Sequence, residues 1–102
     1  MIVNIAKDFS PFPAGRFRSD GRYSGQRFRE DLLVPALKEH DSVIVELDGV
    51  EGFGSSFLEE VFGGLVRLEH FTPADVRRRL KVSSSDPAFE AEIWGYIESD
   101  PD

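Results

Sequence analysis

The sequence predicts an α/β fold: a mixed, mainly parallel four-stranded sheet with helices, in the order β-β-α-β-α-α-β-α. Three observations predict it. Short extended apolar segments interleave with segments whose apolar residues recur at helical spacing, the pattern of strands joined by right-handed crossovers. Ser42–Leu47 is β-branched and almost continuously apolar, as expected of a central strand covered by helices on both faces, or on one face with a loop on the other. Thr72-Pro73 and Asp86-Pro87 each set a capping residue before a proline, the signature of a helix start. At 102 residues the chain has the length of one domain, taken as residues 1–102.

Ile2–Ala6 opens as a strand with apolar-polar alternation, and Ser10-Pro11-Phe12-Pro13-Ala14-Gly15 then breaks regular structure. Gly15–Arg18 reads as a second, antiparallel edge strand, closed by the turn Ser19-Asp20-Gly21. Ser24 caps a helix that presents Phe28, Leu32, Leu33, Ala36 and Leu37 on one face. Pro35 is expected to kink it or start its last turn, before it ends by His40. After the central strand comes a glycine-punctuated loop, Asp48–Gly54. Ser55 or Ser56 is then expected to cap a helix, with Ser56 and Glu59 at capping-box spacing. Leu58, Val61, Phe62, Leu65 and Leu68 form its apolar stripe. Gly63 and Gly64 cost it about 1 kcal/mol each against alanine and are expected to let it lie close on the sheet. A short helix to Arg79, a strand at Leu80-Lys81-Val82 and a last helix with Phe89, Ile93 and Ile97 on one side complete the order, with Trp94 beside that face and Glu90, Glu92 and Glu98 in water. The tail from Ser99 to Asp102 is expected to fray.

Composition excludes several classes. There is no cysteine, so disulfides, thiolate metal sites and a cysteine nucleophile are ruled out. No apolar run approaches a membrane span, and the N-terminus lacks signal-peptide architecture, so a reducing, cytoplasmic setting is expected. The net charge of −7 is unevenly placed. Arg16, Arg18, Arg22, Arg27 and Arg29 stand against Asp20 alone between Pro11 and Arg29, whereas the stretches after them are acidic. A chain this acidic is a poor general binder of nucleic acid. The arginine segment is the exception, suited to an anion, an acidic partner or the chain's own acidic surface.

Catalytic patterns are missing. His40 and His70 fall at helix C-termini, where a cation meets the negative end of the dipole, with no metal-ligand spacing around them. There is no HExxH, GxSxG, phosphate loop or dinucleotide fingerprint. Glu59 and Glu60 are adjacent, point to different helix sides and read as a solvated face. Two segments remain. Gly52-Phe53-Gly54-Ser55-Ser56, ahead of a helix, aims first-turn amides outward and suits either simple capping or an anion. Arg16 and Arg22, near Ser24-Gly25 at another helix start, suit carboxylate or phosphate, against the plainer reading of pairs with Asp20, Glu30 or Asp31. Phe12, Phe17 and Tyr23 add an aromatic contact surface.

The strand-loop-helix from Val43 to Val66 resembles the core of a STAS domain, the fold of sulphate transporters and anti-sigma-factor antagonists. The chain is more similar still to the bacterial STAS-like domain of unknown function. The resemblance rests on Phe9-Ser10, Gly15-Arg16, Asp20-Gly21, Ser24-Gly25, Phe28-Arg29 and Ser55–Leu65, and spans roughly residues 1–85. It implies a non-enzymatic signalling module that binds an anti-sigma factor or histidine-kinase-type ATPase. Release would follow phosphorylation of the serine at the loop-helix junction, which matches Ser55. Gly54 stands where that motif has aspartate, and Phe57 where it has glycine.

The expected function is therefore regulatory binding of a protein partner through Gly54, Ser55, Ser56 and Phe57, with the Arg16–Tyr23 loop beside them. The alternative is a small-molecule or nucleotide module using two helix N-termini, with Arg16, Arg22, Ser24 and Gly25 as the anion contacts. Neither reading calls for a cofactor, a metal or a membrane, and both leave a homodimer open.

Overall fold

The computed structural model describes residues 1–99. Three strands form one parallel sheet: β1 (Ile2–Asn4), β2 (Val43–Glu46) and β3 (Leu80–Ser83), in the order β1-β2-β3. The apolar run after Ser42 is the central strand, as expected. Val3 pairs with Val45, and Val43 and Val45 pair with Leu80 and Val82, so these five side chains share one side and are buried there. The other side carries exposed Ile2, Lys81 and Ser83 and half-buried Asn4, Ile44 and Glu46. The alternation Leu80-Lys81-Val82-Ser83 is the trace of this one-sided burial.

The fourth strand expected at Gly15–Arg18 does not form, and among the described residues the sheet has no antiparallel edge. The segment is coil followed by a single 3-10 turn, Arg18–Asp20. Its backbone groups are spent elsewhere. The Asp20 carboxylate accepts from the amides of Arg16 (3.2 Å) and Phe17 (2.8 Å). The carbonyls of Gly15 and Arg16 accept from the amides of Gly25 (3.0 Å) and Gln26 (2.9 Å). Donors and acceptors used this way are not available to a ladder. Gly15, at φ +89°, makes the reversal without a Cβ penalty. The first strand is also shorter than expected. Asn4 Oδ1 accepts from the Lys7 amide (2.9 Å) and starts a one-turn helix, α1 (Ile5–Asp8).

Helix α2 covers residues 25–39 as Gly25–Phe28, a π-helical turn Arg29–Leu33, and Val34–Glu39. Ser24 caps it by accepting from the Arg27 amide (3.2 Å). Pro35 neither ends nor sharply breaks it. The Val34 amide reaches back five residues to the Arg29 carbonyl, and this wide turn absorbs the residue that has no N–H to give. Helix α3 covers residues 55–67 and carries its own π turn, Glu59–Gly63. Its N-cap is Gly54, so neither Ser55 nor Ser56 caps it and the expected capping box is not made. Helices α4 (Pro73–Arg79) and α5 (Pro87–Glu98) start as expected, with Thr72 Oγ1 accepting from the Asp75 amide (3.1 Å) and Asp86 Oδ1 from the Ala88 amide (2.9 Å). Among the described residues no helix is long and apolar enough to cross a membrane. The tail expected to fray lies, beyond Ser99, outside the described residues.

The core joins the buried side of the sheet to Phe28, Leu33 and Leu37 of α2, to Leu58, Val61, Phe62 and Leu65 of α3, and to Ile93 and Ile97 of α5. A file of rings, Phe9, Phe28, Phe57, Phe53 and Phe89, runs through it with neighbouring centroids 5.3–6.3 Å apart. Leu68 falls outside the stripe predicted for α3: the helix stops at Arg67 and Leu68 is 49% exposed. We expect Leu65→Ala to cost about 2–5 kcal/mol in urea denaturation and Leu68→Ala to stay within about 0.5 kcal/mol; equal losses would contradict this placement.

Candidate functional site

Helices α2 and α3 meet through charge as well as through leucine. Arg29, on α2, is 2% exposed and Glu60, on α3, is 2% exposed. Arg29 Nη1 donates to Glu60 Oε2 (2.6 Å) and to the Glu60 carbonyl (2.6 Å), while Nε donates to Glu69 Oε2 (3.0 Å). Such a pair is tolerable out of water only when its hydrogen-bonding capacity is filled. Among the described residues no buried side-chain polar atom lacks a partner. Burial alone would lower the Arg29 guanidinium, but hydrogen bonds to Glu60 and Glu69 outweigh it and hold it above its ordinary value.

The two glycines of α3 serve this network. A Cβ on Gly64 would come within 2.5 Å of Arg29 Nη1 and within 3.1 Å of its Cδ and Cζ. Gly64 therefore makes room for a buried guanidinium, not for close packing on the sheet. A Cβ on Gly63 would come within 2.5 Å of Glu59 Oε2. The expectation that Glu59 and Glu60 form a solvated face is overturned with it. Glu60 is inside, and Glu59 bridges Arg16 and Arg67, with Arg67 Nη1 donating to Glu59 Oε2 at 2.6 Å. Arg16 also lies 3.4 Å from Glu60 Oε1. The Arg16 loop is thus clamped onto α3. Arg29 was missed as a key residue, although its position is legible: it stands four and eight residues before Leu33 and Leu37, on the apolar face.

The remaining candidates divide by exposure. Gly54, Ser55 and Ser56 are exposed at the first turn of α3. Phe57 is fully buried among Phe9, Phe28 and Phe53, so it anchors the rim and offers nothing to a partner. Ser24 and Gly25 are also buried. The Ser24 hydroxyl is committed to its cap, and a Cβ on Gly25 would strike the Phe57 carbonyl at 2.8 Å. This helix start is packed against α3 and is not open to an anion. Arg16 is tied to Glu59, and Arg22 is exposed. The plainer reading, Arg16 and Arg22 paired with Asp20, Glu30 or Asp31, is not how these two side chains are used; it is Arg18 that meets Glu30 (3.2 Å) and Asp31 (2.8 Å).

The rim has further parts. The Glu51 amide donates to the Pro11 carbonyl (3.1 Å), which brings the loop after β2 beside Phe12, 67% exposed. Beyond β3, Asp48 Oδ1 accepts from the Ser85 amide and hydroxyl (both 2.9 Å), and these bonds lower the Asp48 carboxyl. The Tyr96 hydroxyl donates to Glu92 Oε2 (2.6 Å), which pushes that phenol above its ordinary value.

Two outcomes test the network. Arg29→Met leaves Glu60 buried beside Arg16 and Arg67 only, at 3.4 and 3.8 Å. We expect a loss of about 3 kcal/mol in urea denaturation, the low end for breaking a buried pair, and recovery of most of it in Arg29→Met/Glu60→Met. The second concerns Glu59. Burial raises its carboxyl, but hydrogen bonds from Arg67 and Arg16 prevail and hold it below its ordinary 4.5. A carboxyl lowered on folding stabilises the protein above its unfolded pKa and loses that contribution as pH falls through the folded one. The difference in Tm between the native chain and Glu59→Gln should therefore be largest at neutral pH and shrink progressively below pH 4.5; a difference that stays constant into acid would contradict this.

Comparison with known proteins agrees with the architecture. No curated protein and no solved structure matches the chain. One family model does, over residues 24–89, which takes in α2, β2, α3, α4 and β3 and leaves the Arg16 loop outside. With well over half of its residues inside that match, the chain belongs to the STAS-like domain of unknown function family (DUF4325).

Proposed function

We propose that this domain is a non-enzymatic regulatory module that docks a protein partner on the rim formed by the loop after β2 and the first turn of α3. The observation that carries the reading is the contrast along Gly54–Leu58: Gly54, Ser55 and Ser56 are exposed, while Phe57 and Leu58 directly behind them are fully buried. Exposed small residues on a rigidly anchored turn make a surface that needs little ordering on binding. Exposed Phe12 beside it supplies apolar contact area. By the family resemblance, the partner is an anti-sigma factor or a histidine-kinase-type ATPase.

Ser55 is the proposed switch. Gly54 provides no side-chain cap, so the first amides of α3 have no intrahelical or capping acceptor. A phosphate on Ser55 would find those amides, but it would add a charge of about −1.5 to −2 to a rim whose loop already carries the exposed Glu51. A partner fitted to the neutral rim would be repelled, which makes the modification an off-switch. The reading is tested by affinity capture from a lysate of the source organism. The native chain and Ser55→Ala should retain an ATPase of this type, and Ser55→Glu should weaken the capture at least about tenfold. Capture unchanged in both Ser55→Glu and Phe12→Ala would place the partner elsewhere.

A further inference from the structure

The arginine segment has been sorted by the fold, and one member is left over. Arg16 is taken by Glu59, Arg18 by Glu30 and Asp31, and Arg29 by Glu60 and Glu69. Arg27 lies with its guanidinium over the rings of Phe9 (5.8 Å) and Tyr23 (5.5 Å) and 3.9 Å from Asp31. Among the described residues Arg22 alone of the five has no carboxylate within salt-bridge distance. It is exposed at an open cleft of about 430 Å³ lined by Arg18, Gly21, Arg22, Arg27 and Asp31.

We infer that this cleft binds a carboxylate-bearing segment of a protein partner, with Arg22 as its principal contact. Three guanidiniums against one carboxylate leave the lining net positive in a chain of net charge −7. An acidic segment therefore finds attraction here and repulsion over much of the remaining surface, which gives both steering and register. The cleft is also built in advance. Arg27 Nη1 donates to the Arg22 carbonyl (2.7 Å), and the Ala14 amide donates to the Tyr23 carbonyl (3.0 Å), so the backbone at and just after Arg22 is held at two points. A pinned loop loses little freedom on binding. The planar guanidinium of Arg22 is free to take a carboxylate in the two-pronged geometry that strengthens such contacts.

The neighbours of the cleft favour a peptide over a nucleic acid. Asp31 lies in its wall and Glu30 beside it, so a continuous polyphosphate would pass over like charge within a few ångströms. A peptide can place one or two carboxylates on Arg22 and Arg27 and turn an apolar residue toward Phe17, which is 48% exposed just before Arg18. This inference shares with the proposed function the view that the domain binds protein, but it concerns a different surface. Its test therefore reads Arg22 without using Ser55 or any captured partner.

The probe is a short fluorescein-labelled peptide of alternating glutamate and leucine, titrated with the full chain and followed by anisotropy at two salt concentrations. Saturable binding is expected, weaker at high salt, and reduced at least about tenfold by Arg22→Glu and by Arg27→Ala. Arg22 is exposed, so an unchanged Tm for Arg22→Glu will show that the fold survives. Absence of saturable binding, or binding unchanged in Arg22→Glu, overturns the inference. A single-stranded oligonucleotide of equal charge that binds as tightly as the peptide overturns the peptide assignment in favour of nucleic acid. Complete displacement of the peptide by millimolar inorganic phosphate overturns it in favour of a free anion.

Discussion

The contact between Arg29 and Glu60, both almost wholly out of water, is the constraint on which the arrangement of this domain depends. It sets the rotation of α3 against α2, because the guanidinium reaches both the Glu60 carboxylate and the Glu60 carbonyl. It dictates Gly64, since a side chain there would occupy the space of the guanidinium. It also accounts for Glu69, which accepts the Nε–H from beyond the end of α3. An apolar pair could supply comparable stability. What the charged pair adds is direction: leucines tolerate sliding, whereas hydrogen bonds of 2.6 Å to two oxygens do not.

That direction is transmitted to the surface. Glu59, next to Glu60, is clamped by Arg16 on one side and Arg67 on the other, and the Arg16 loop is thereby fastened over α3. In the same loop the carbonyls of Gly15 and Arg16 accept from the amides of Gly25 and Gln26 at the start of α2. Its arginines therefore serve mainly as structural fasteners. The rim at Ser55 is supported from below by the buried Phe57, itself packed against Phe53.

The sheet shows how a parallel arrangement survives with one buried side. Three short strands carry valine and leucine inward and mostly polar residues outward. Ile2 and Ile44 are the exceptions: Ile44 is half-buried in the central strand, and Ile2 is 57% exposed at the edge strand. Strand addition at that edge is opposed locally, because the Asn4 amide is already taken by the Asp8 carboxylate (2.8 Å).

The sequence alone determined those features whose causes lie within a few residues. The caps at Ser24, Thr72 and Asp86, the proline-led helix starts, the central strand after Ser42 and the apolar faces of α2 and α5 were all legible, because capping and periodicity are local interactions. The missing edge strand was not legible, since alternation around Phe17 suits a strand equally well until Gly25 and Gln26 claim its carbonyls. The partners of the arginines were not legible either. Arg29 lies 31 residues from Glu60, and Arg16 lies 43 from Glu59. Five arginines facing many acids allow numerous pairings of similar Coulomb energy in water. Only the tertiary structure chose among them, by burying one pair and leaving Arg22 outside, because removal from water is what makes one pairing differ from the next.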